Sequence, residues 1–310
     1  MQSKPHIHHN PLLVVIAGPT AVGKTSLSIE IASKFKTEIV SCDSRQFFRE
    51  MKIGTAVPST DELAAAPHHF IGHLSVKDSY DVSRYETDAL ALLNDLFFDH
   101  HIVIMTGGSG LYINAVCQGF DELPDPDPEI RKQLHVVLEN EGIIGLEEKL
   151  KTLDPVFYDA VDKSNPKRLL RAVEVCLITG KPYSELRKGR VKERPFRVLK
   201  IALNRDRQEL FERISERTGQ MMADGLLEEV KSLIPFRNEN ALNTVGYKEL
   251  FEFIDGKCTL DQAITNIKTN TRRYAKRQLT WFRKDPDYHW FHPEQIREML
   301  NLISEQIAFM

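Results

Sequence analysis

Residues Gly18, Pro19, Thr20, Ala21, Val22, Gly23, Lys24 and Thr25 follow the pattern glycine, any four residues, glycine, lysine, threonine. Glycines let a backbone curl until its amides converge on one anion, and a helix starting there adds positive potential. A lysine closing the loop neutralises phosphate oxygens, and the next hydroxyl suits Mg²⁺. The segment predicts a loop for a diphosphate or triphosphate, with Mg²⁺ as cofactor on Thr25. Most such loops hydrolyse or transfer the γ-phosphoryl group of ATP or GTP, with an Asp after the third strand for the metal. Here residues 102–105 run into Thr106-Gly-Gly with no acid, and no Asn-Lys-x-Asp guanine reader occurs. The candidate acid is Asp43, in Ser41-Cys-Asp-Ser-Arg-Gln46. It reads either as a helix cap or as a general base or metal-shell acid beside the phosphates.

Positioning these groups requires strands that end together. Residues 12–17 are a short apolar run, and residues 26–35 follow with helical spacing. Residues 38–41 and 102–105 read as further strands, with a helix over 85–98 between them. Strands alternating with helices predict an α/β fold with a parallel, doubly wound sheet and a P-loop NTPase-like core. Ligands in such sheets bind beyond the carboxyl ends of the strands. The phosphate loop, Asp43-Ser44 and 107–110 should therefore line one crevice.

After Gly119 the pattern changes. Residues 121–128 hold three prolines and four acids and read as a linker; 129–183 look all-helical, and 188–197 are basic and turn-rich. Residues 198–203 return to a strand pattern, and the remainder reads as helices over 207–224, 226–233, 246–253 and 260–282. This predicts a core of residues 1–117 and 198–310 and an all-helical insertion domain of residues 118–197.

The 310 residues, 42% of them hydrophobic, suffice for one large domain or two, and the formal net charge of −3 gives no general argument for nucleic acid. Cys42, Cys117, Cys176 and Cys258 form no CxxC pair, so reduced thiols in a cytoplasmic enzyme are expected. No secretory signal or membrane span is expected, and His6, His8 and His9 fall in a polar leader read as a disordered tail. His68 and His69 are adjacent on an expected loop and read as structural. Residues 267–284 carry Lys268, Arg272, Arg273, Lys276, Arg277, Arg283 and Lys284 with no acid, interleaved with Tyr274, Trp281 and Phe282. That is either a solvated helix face or a grip on RNA, which uses stacking and phosphate contacts.

In order, Gly18–Thr25, Asp43-Ser44, Ile53-Gly-Thr-Ala56, Ala66-Pro-His-His69, Gly107-Gly-Ser-Gly-Leu-Tyr112, Leu123-Pro, Pro128-Glu-Ile-Arg131, Asn165-Pro-Lys-Arg-Leu-Leu-Arg-Ala-Val-Glu174, Val245-Gly-Tyr247 and Lys276-Arg-Gln-Leu-Thr-Trp-Phe-Arg283 resemble the tRNA dimethylallyltransferases. The resemblance runs from Gly18 to about Arg283. It implies transfer of a dimethylallyl group from dimethylallyl diphosphate, not ATP, to N6 of adenosine 37 in tRNAs reading codons that begin with U. The loop, Lys24 and Mg²⁺ on Thr25 would then serve the leaving diphosphate, Asp43 would be the general base, and Arg217 would contact the diphosphate.

By the same resemblance, contacts to a tRNA anticodon stem-loop fall in four segments. These are Asp43, Ser44, Arg45 and Gln46; Lys167, Arg168, Leu169, Leu170 and Arg171; Asn243, Thr244, Val245, Gly246, Tyr247 and Lys248; and Lys276, Arg277, Gln278, Leu279, Thr280, Trp281, Phe282 and Arg283. Ser109 and Arg131 are expected near the target nucleotide. Arg168 and Arg171 have an alternative in an ion pair with Glu174, and Gly246 in a helix start. Two departures stand out: Ser109 where many members carry Thr, and Arg45-Gln-Phe-Phe48 where many carry a Tyr, which bears on packing of the target base. The expected protein is a monomer without membrane contact. Its rivals are a P-loop nucleotide kinase, a prenyltransferase of free adenine nucleotides, and a non-enzymatic, nucleotide-gated RNA-binding switch.

Overall fold

The six residues of β1 (Leu12–Ala17) are all buried, because both faces of the strand are covered. Leu13, Val15 and Ala17 pack into one apolar layer, and Leu12, Val14 and Ile16 into the opposite one. Two buried faces explain why the strand reads as an unbroken apolar run instead of an alternating one. Each fully buried Leu, Ile or Val contributes about 1.5–3 kcal/mol.

A computed structural model describes residues 10–121, 123–189 and 191–308. The leader with His6, His8 and His9 lies outside the described residues, as do Glu122 of the linker and Arg190 of the basic segment. After β1 come α1 (Lys24–Phe35), β2 (Ile39–Ser41), α2 (Thr60–Ala65), β3 (His68–His69), α3 (Val82–Asp99), β4 (Ile102–Gly107) and α4 (Gly110–Gln118). The helical stretch holds α5 (Pro128–Leu153), α6 (Pro155–Ala160), α7 (Pro166–Thr179) and α8 (Tyr183–Leu186). The chain then forms β5 (Arg197–Leu203), α9 (Arg207–Ala223), α10 (Leu226–Ser232), α11 (Tyr247–Ile254), α12 (Leu260–Phe282), β6 (Tyr288–Phe291) and α13 (Ile296–Ala308).

The sheet is parallel throughout, in the order β3-β2-β4-β1-β5-β6. Ala17 lies opposite both Gly107 of β4 and Ala202 of β5, so the carboxyl ends of these strands are level. Two strands differ from the sequence reading. His68 and His69 form an edge strand on Ile39 and Val40, not a loop, and His69 pairs with Glu38 at 2.5 Å. Tyr288–Phe291 adds a sixth strand on β5 where only helices are expected. Both are too short to show periodicity, and long-range pairing creates them.

The chain divides into two compact units. One comprises the residues through Cys117 together with those from Arg194 onward; the other is Gln118–Glu193. The second unit ends before Arg197, which opens β5, so the strand starts inside the segment expected to belong to the insertion. Its helices α5 and α7 share a core of Leu134, Leu146, Leu150, Leu169, Leu170, Ala172 and Val173. Asp154, fully buried, accepts from Phe157 N at 2.9 Å and from Ser184 N at 2.6 Å, which pins the start of α6 to α8. In the first unit, Arg194 donates to Val116 O at 2.8 Å, Ala115 O at 2.7 Å and Glu86 at 2.6 Å. The chain that returns is thereby fastened to the chain that departs. Among the described residues no helix is long and apolar enough to cross a membrane.

Candidate active site

The loop between β1 and α1 is held from outside by cations. Lys24 Nζ donates to Gly18 O at 3.0 Å and to Pro19 O at 2.8 Å. Arg213 Nε donates to Ala21 O and Arg205 Nε to Val22 O, both at 2.8 Å. In a planar trans peptide the carbonyl and the following N–H point opposite ways. Drawing the Ala21 and Val22 carbonyls onto arginines therefore turns the amides of Val22 and Gly23 the other way. Gly23, at φ 108°, occupies a conformation that side chains disfavour, and α1 starts at the next residue. The result is a nest of donors at a helix N-terminus, suited to an anion.

The other loops expected in the crevice are there. Thr20, Lys24, Thr25, Asp43, Ser44, Thr106, Gly107, Arg213 and Arg217 line a cleft of about 850 Å³ at the carboxyl ends of the strands. Burial pulls Lys24 down from 10.5 to about 8, against the opposing pull of Asp43, while Arg217 pushes the same way as burial. Burial also lowers Arg217, again with Asp43 opposing. Two desolvated cations thus share one carboxylate, an arrangement that gains from a bound polyanion. β4 ends without an acid; its Thr106 hydroxyl accepts from Ser28 at 2.9 Å. Among the described residues no cluster of three or more His, Cys, Asp or Glu could hold a metal by itself.

The capping reading of Asp43 resolves into a turn. Asp43 Oδ1 accepts from Arg45 N at 3.1 Å, but no helix follows. Ser109 reaches the same turn: Ser44 N donates to Ser109 Oγ at 3.3 Å, and the two hydroxyls lie 3.3 Å apart. Gln46 Nε2 donates to Thr55 O at 3.2 Å and Ala56 O at 3.0 Å, closing the cleft on that side. Phe47, in the run that departs from the family, is buried and stacks on Tyr85 at 5.3 Å, so it touches core and not cleft.

The four segments expected on RNA contain both exposed and core residues. Lys167, Arg168, Asn243, Lys248, Lys276, Arg277, Thr280, Trp281 and Arg283 are exposed. Leu169, Leu170, Gly246, Tyr247, Gln278 and Phe282 are buried, although Gly246 and Gln278 still line the cleft. Leu169 and Leu170 fill the core of the helical unit. Gly246 caps α11 with φ 97°, the helix-start role. Gln278 Oε1 accepts from Thr20 N and its Nε2 donates to Gly108 O, each at 2.9 Å. The ion-pair alternative holds for Arg171, which meets Glu174 at 2.7 Å; the second partner of that carboxylate is Arg131 at 2.8 Å, not Arg168.

Several site residues carry no sequence signal. Glu229 accepts the backbone amides of Lys52, Ile53 and Gly54 at 2.9, 2.8 and 3.0 Å. Arg205 and Arg213 lie far along the chain from the loop they hold. Tyr274, already named among the aromatics of residues 267–284, lines the cleft beside Asp43, Ser109 and Arg277, one helical turn before Gln278.

The family model described as IPP transferase matches residues 46–285. A tRNA dimethylallyltransferase of Christiangramia forsetii is 53% identical over 296 residues, covering 95% of this chain and 98% of the relative. A second, from Bacteroides fragilis and called tRNA dimethylallyltransferase 1, is 49% identical over 295 residues, covering 95% and 98%. Among solved structures, the full-length tRNA isopentenylpyrophosphate transferase of Bacillus halodurans superposes with a TM-score of 0.71 at 35% identity, covering 96% of each chain. A eukaryotic dimethylallyltransferase acting on tRNA gives 0.71 at 28% identity, covering 87% of this chain and 69% of its own.

Proposed function

Because the chain belongs to the IPP transferase family, we propose that it transfers a dimethylallyl group from dimethylallyl diphosphate to N6 of adenosine 37 in tRNAs reading codons that begin with U. The observation that carries this reading is the pairing of an anion nest with Asp43 in one cleft, without an acid after β4. A phosphoryl-transfer site needs its metal-shell acid there; an alkyl-transfer site needs a cradle for the leaving diphosphate and a base for the nucleophile.

The adenine amine is a poor nucleophile because its lone pair is delocalised into the ring. As the N6–C1 bond forms, the C1–O bond breaks and its electrons leave with diphosphate. The amine's proton passes to Asp43, whose carboxylate is oriented by the Arg45 amide. Lys24, Arg217 and the Val22 and Gly23 amides neutralise the departing charge. The Thr25 hydroxyl and the substrate's phosphate oxygens make a donor set that would fit Mg²⁺, which keeps waters and few protein ligands. When bound, the ion neutralises diphosphate charge.

A base stacked in an anticodon loop must be flipped out to reach such a cleft, at a cost of a few kcal/mol. The exposed Lys276, Arg277, Thr280, Trp281 and Arg283 of α12 and its C-cap, with Asn243 and Lys248, offset that cost through phosphate and stacking contacts. On the helical unit, the exposed Lys167 and Arg168 are further candidate RNA contacts, and the enzyme acts as a monomer. Ser109 and Ser44 flank the target nucleotide beside Asp43.

The test is incubation with unmodified tRNA, Mg²⁺ and dimethylallyl diphosphate, followed by nucleoside mass analysis. Isopentenyladenosine in the RNA supports the reading. Prenylated AMP with unmodified RNA would move it to free nucleotides, and robust ATP turnover to a kinase.

A further inference from the structure

Gln278 is the one residue of the exposed, basic α12 whose side chain bonds the phosphate loop, among the described residues. Its side chain is buried and joins two loops that the sequence places 88 residues apart at Thr20 and Gly108. One end accepts the Thr20 amide and the other donates to the Gly108 carbonyl, each at 2.9 Å. A carboxamide supplies an acceptor and a donor on one short stem; a carboxylate lacks the donor and a thioether lacks both as strong groups. Gly108 makes the approach possible, since a Cβ there would stand 2.1 Å from Gln278 Nε2.

Thr20 is part of the anion loop, so its peptide orientation helps set the loop's curvature. Gln278 takes that orientation from α12. One turn earlier Tyr274 faces Asp43 and Ser109, and Lys276, Arg277, Thr280 and Trp281 of the same helix are exposed. We propose that Gln278 is a positioning residue through which RNA seated on α12 and diphosphate seated in the loop strengthen each other's binding. This rests on the tRNA reading above. RNA that holds α12 in place also restrains the Thr20 peptide through Gln278, so the second ligand meets a loop with less freedom left to lose. Linkage requires the effect to be reciprocal.

The experiment titrates inorganic pyrophosphate with Mg²⁺ into the full chain, alone and saturated with an unmodified anticodon stem-loop RNA. The wild type should bind pyrophosphate about fivefold or more tighter with RNA present, the lower end of ordinary coupling. Gln278→Met, of similar length, should lose the difference while still binding RNA. In turnover it should raise the KM for dimethylallyl diphosphate at saturating RNA more than it lowers kcat. Gln278→Glu keeps the acceptor for Thr20 and loses the donor for Gly108; it provides the same comparison should the Met variant misfold. Equal coupling in wild type and both variants, or RNA binding without any effect on pyrophosphate, overturns the link alone. A wild type that binds no RNA overturns the functional reading and the link with it.

Discussion

The Tyr247 hydroxyl donates to Glu229 at 2.7 Å, and the same carboxylate holds the amides of Lys52, Ile53 and Gly54. One acid on α10 thereby fixes both the turn that leads to Thr55 and Ala56 and the start of α11, and both border the cleft. Tyr247, named for RNA by the resemblance, works from inside the protein: it lies against Gly54, where a Cβ would meet its ring at 2.6 Å.

Removing this clamp should cost stability. Glu229→Gln should lower the unfolding free energy by about 1–3 kcal/mol, because amide donors lose a charged acceptor. Tyr247→Phe, losing one bond, should cost about 0.5–1.5 kcal/mol. Urea titrations with unchanged slopes measure both; a Glu229→Gln midpoint equal to wild type contradicts the clamp.

Asp43→Ala should slow prenyl transfer by about 10²–10⁴-fold, the usual contribution of a general base. RNA affinity should stay within about tenfold, equivalent to 1.4 kcal/mol. Single-turnover assays at saturating RNA separate the two quantities. Near-normal turnover would remove Asp43 from the chemistry.

The basic residues of α12 are not equivalent. Lys276 and Arg277 are exposed, whereas Arg272 stacks on Phe211 at 5.0 Å and donates to Ser215 at 2.9 Å. Neutralising Lys276 and Arg277 should each reduce the slope of log K against log salt by about 0.7, the single-strand value. Arg272→Gln should leave the slope near wild type and lower thermal stability instead. Equal slopes for all three variants would contradict this division.

Lys24 sets a pH limit. Its pKa is depressed to about 8, so the ammonium is charged below that pH and neutral above it in the free protein. Diphosphate affinity should therefore be full on the acid side and fall as the pH rises through about 8. Lys24→Arg, which stays protonated throughout, should remove that fall even if it binds more weakly. Calorimetric titration of both proteins across this range decides; parallel pH profiles would remove Lys24 as the titrating group.

The strand-loop-helix around Lys24 was legible because its signals are local: an apolar run, glycines at fixed spacing, then helical periodicity. Asp43 was legible as an acid after a strand; its turn through the Arg45 amide, with no helix following, was not. What holds these groups was not legible. Arg205, Arg213, Glu229 and Gln278 act on backbone atoms far away in sequence, and backbone partners leave no trace in residue type. The same limit applies to β3 and β6, which exist only through their neighbours. The resemblance named segments for RNA but could not sort which of their residues are exposed and which are buried. Periodicity alone does not say that Lys276 points outward while Gln278 turns to the loop.

Arg194 has a consequence for the history of the chain. By binding the carbonyls of Ala115 and Val116, it brings the exit and re-entry points of the helical unit together. The register of β5 on β1 is then set at the base, independently of how much chain lies beyond it. Closing a longer loop costs only slowly more entropy, so lineages can lengthen, trim or exchange the helical segment as a cassette while the catalytic sheet stays the same.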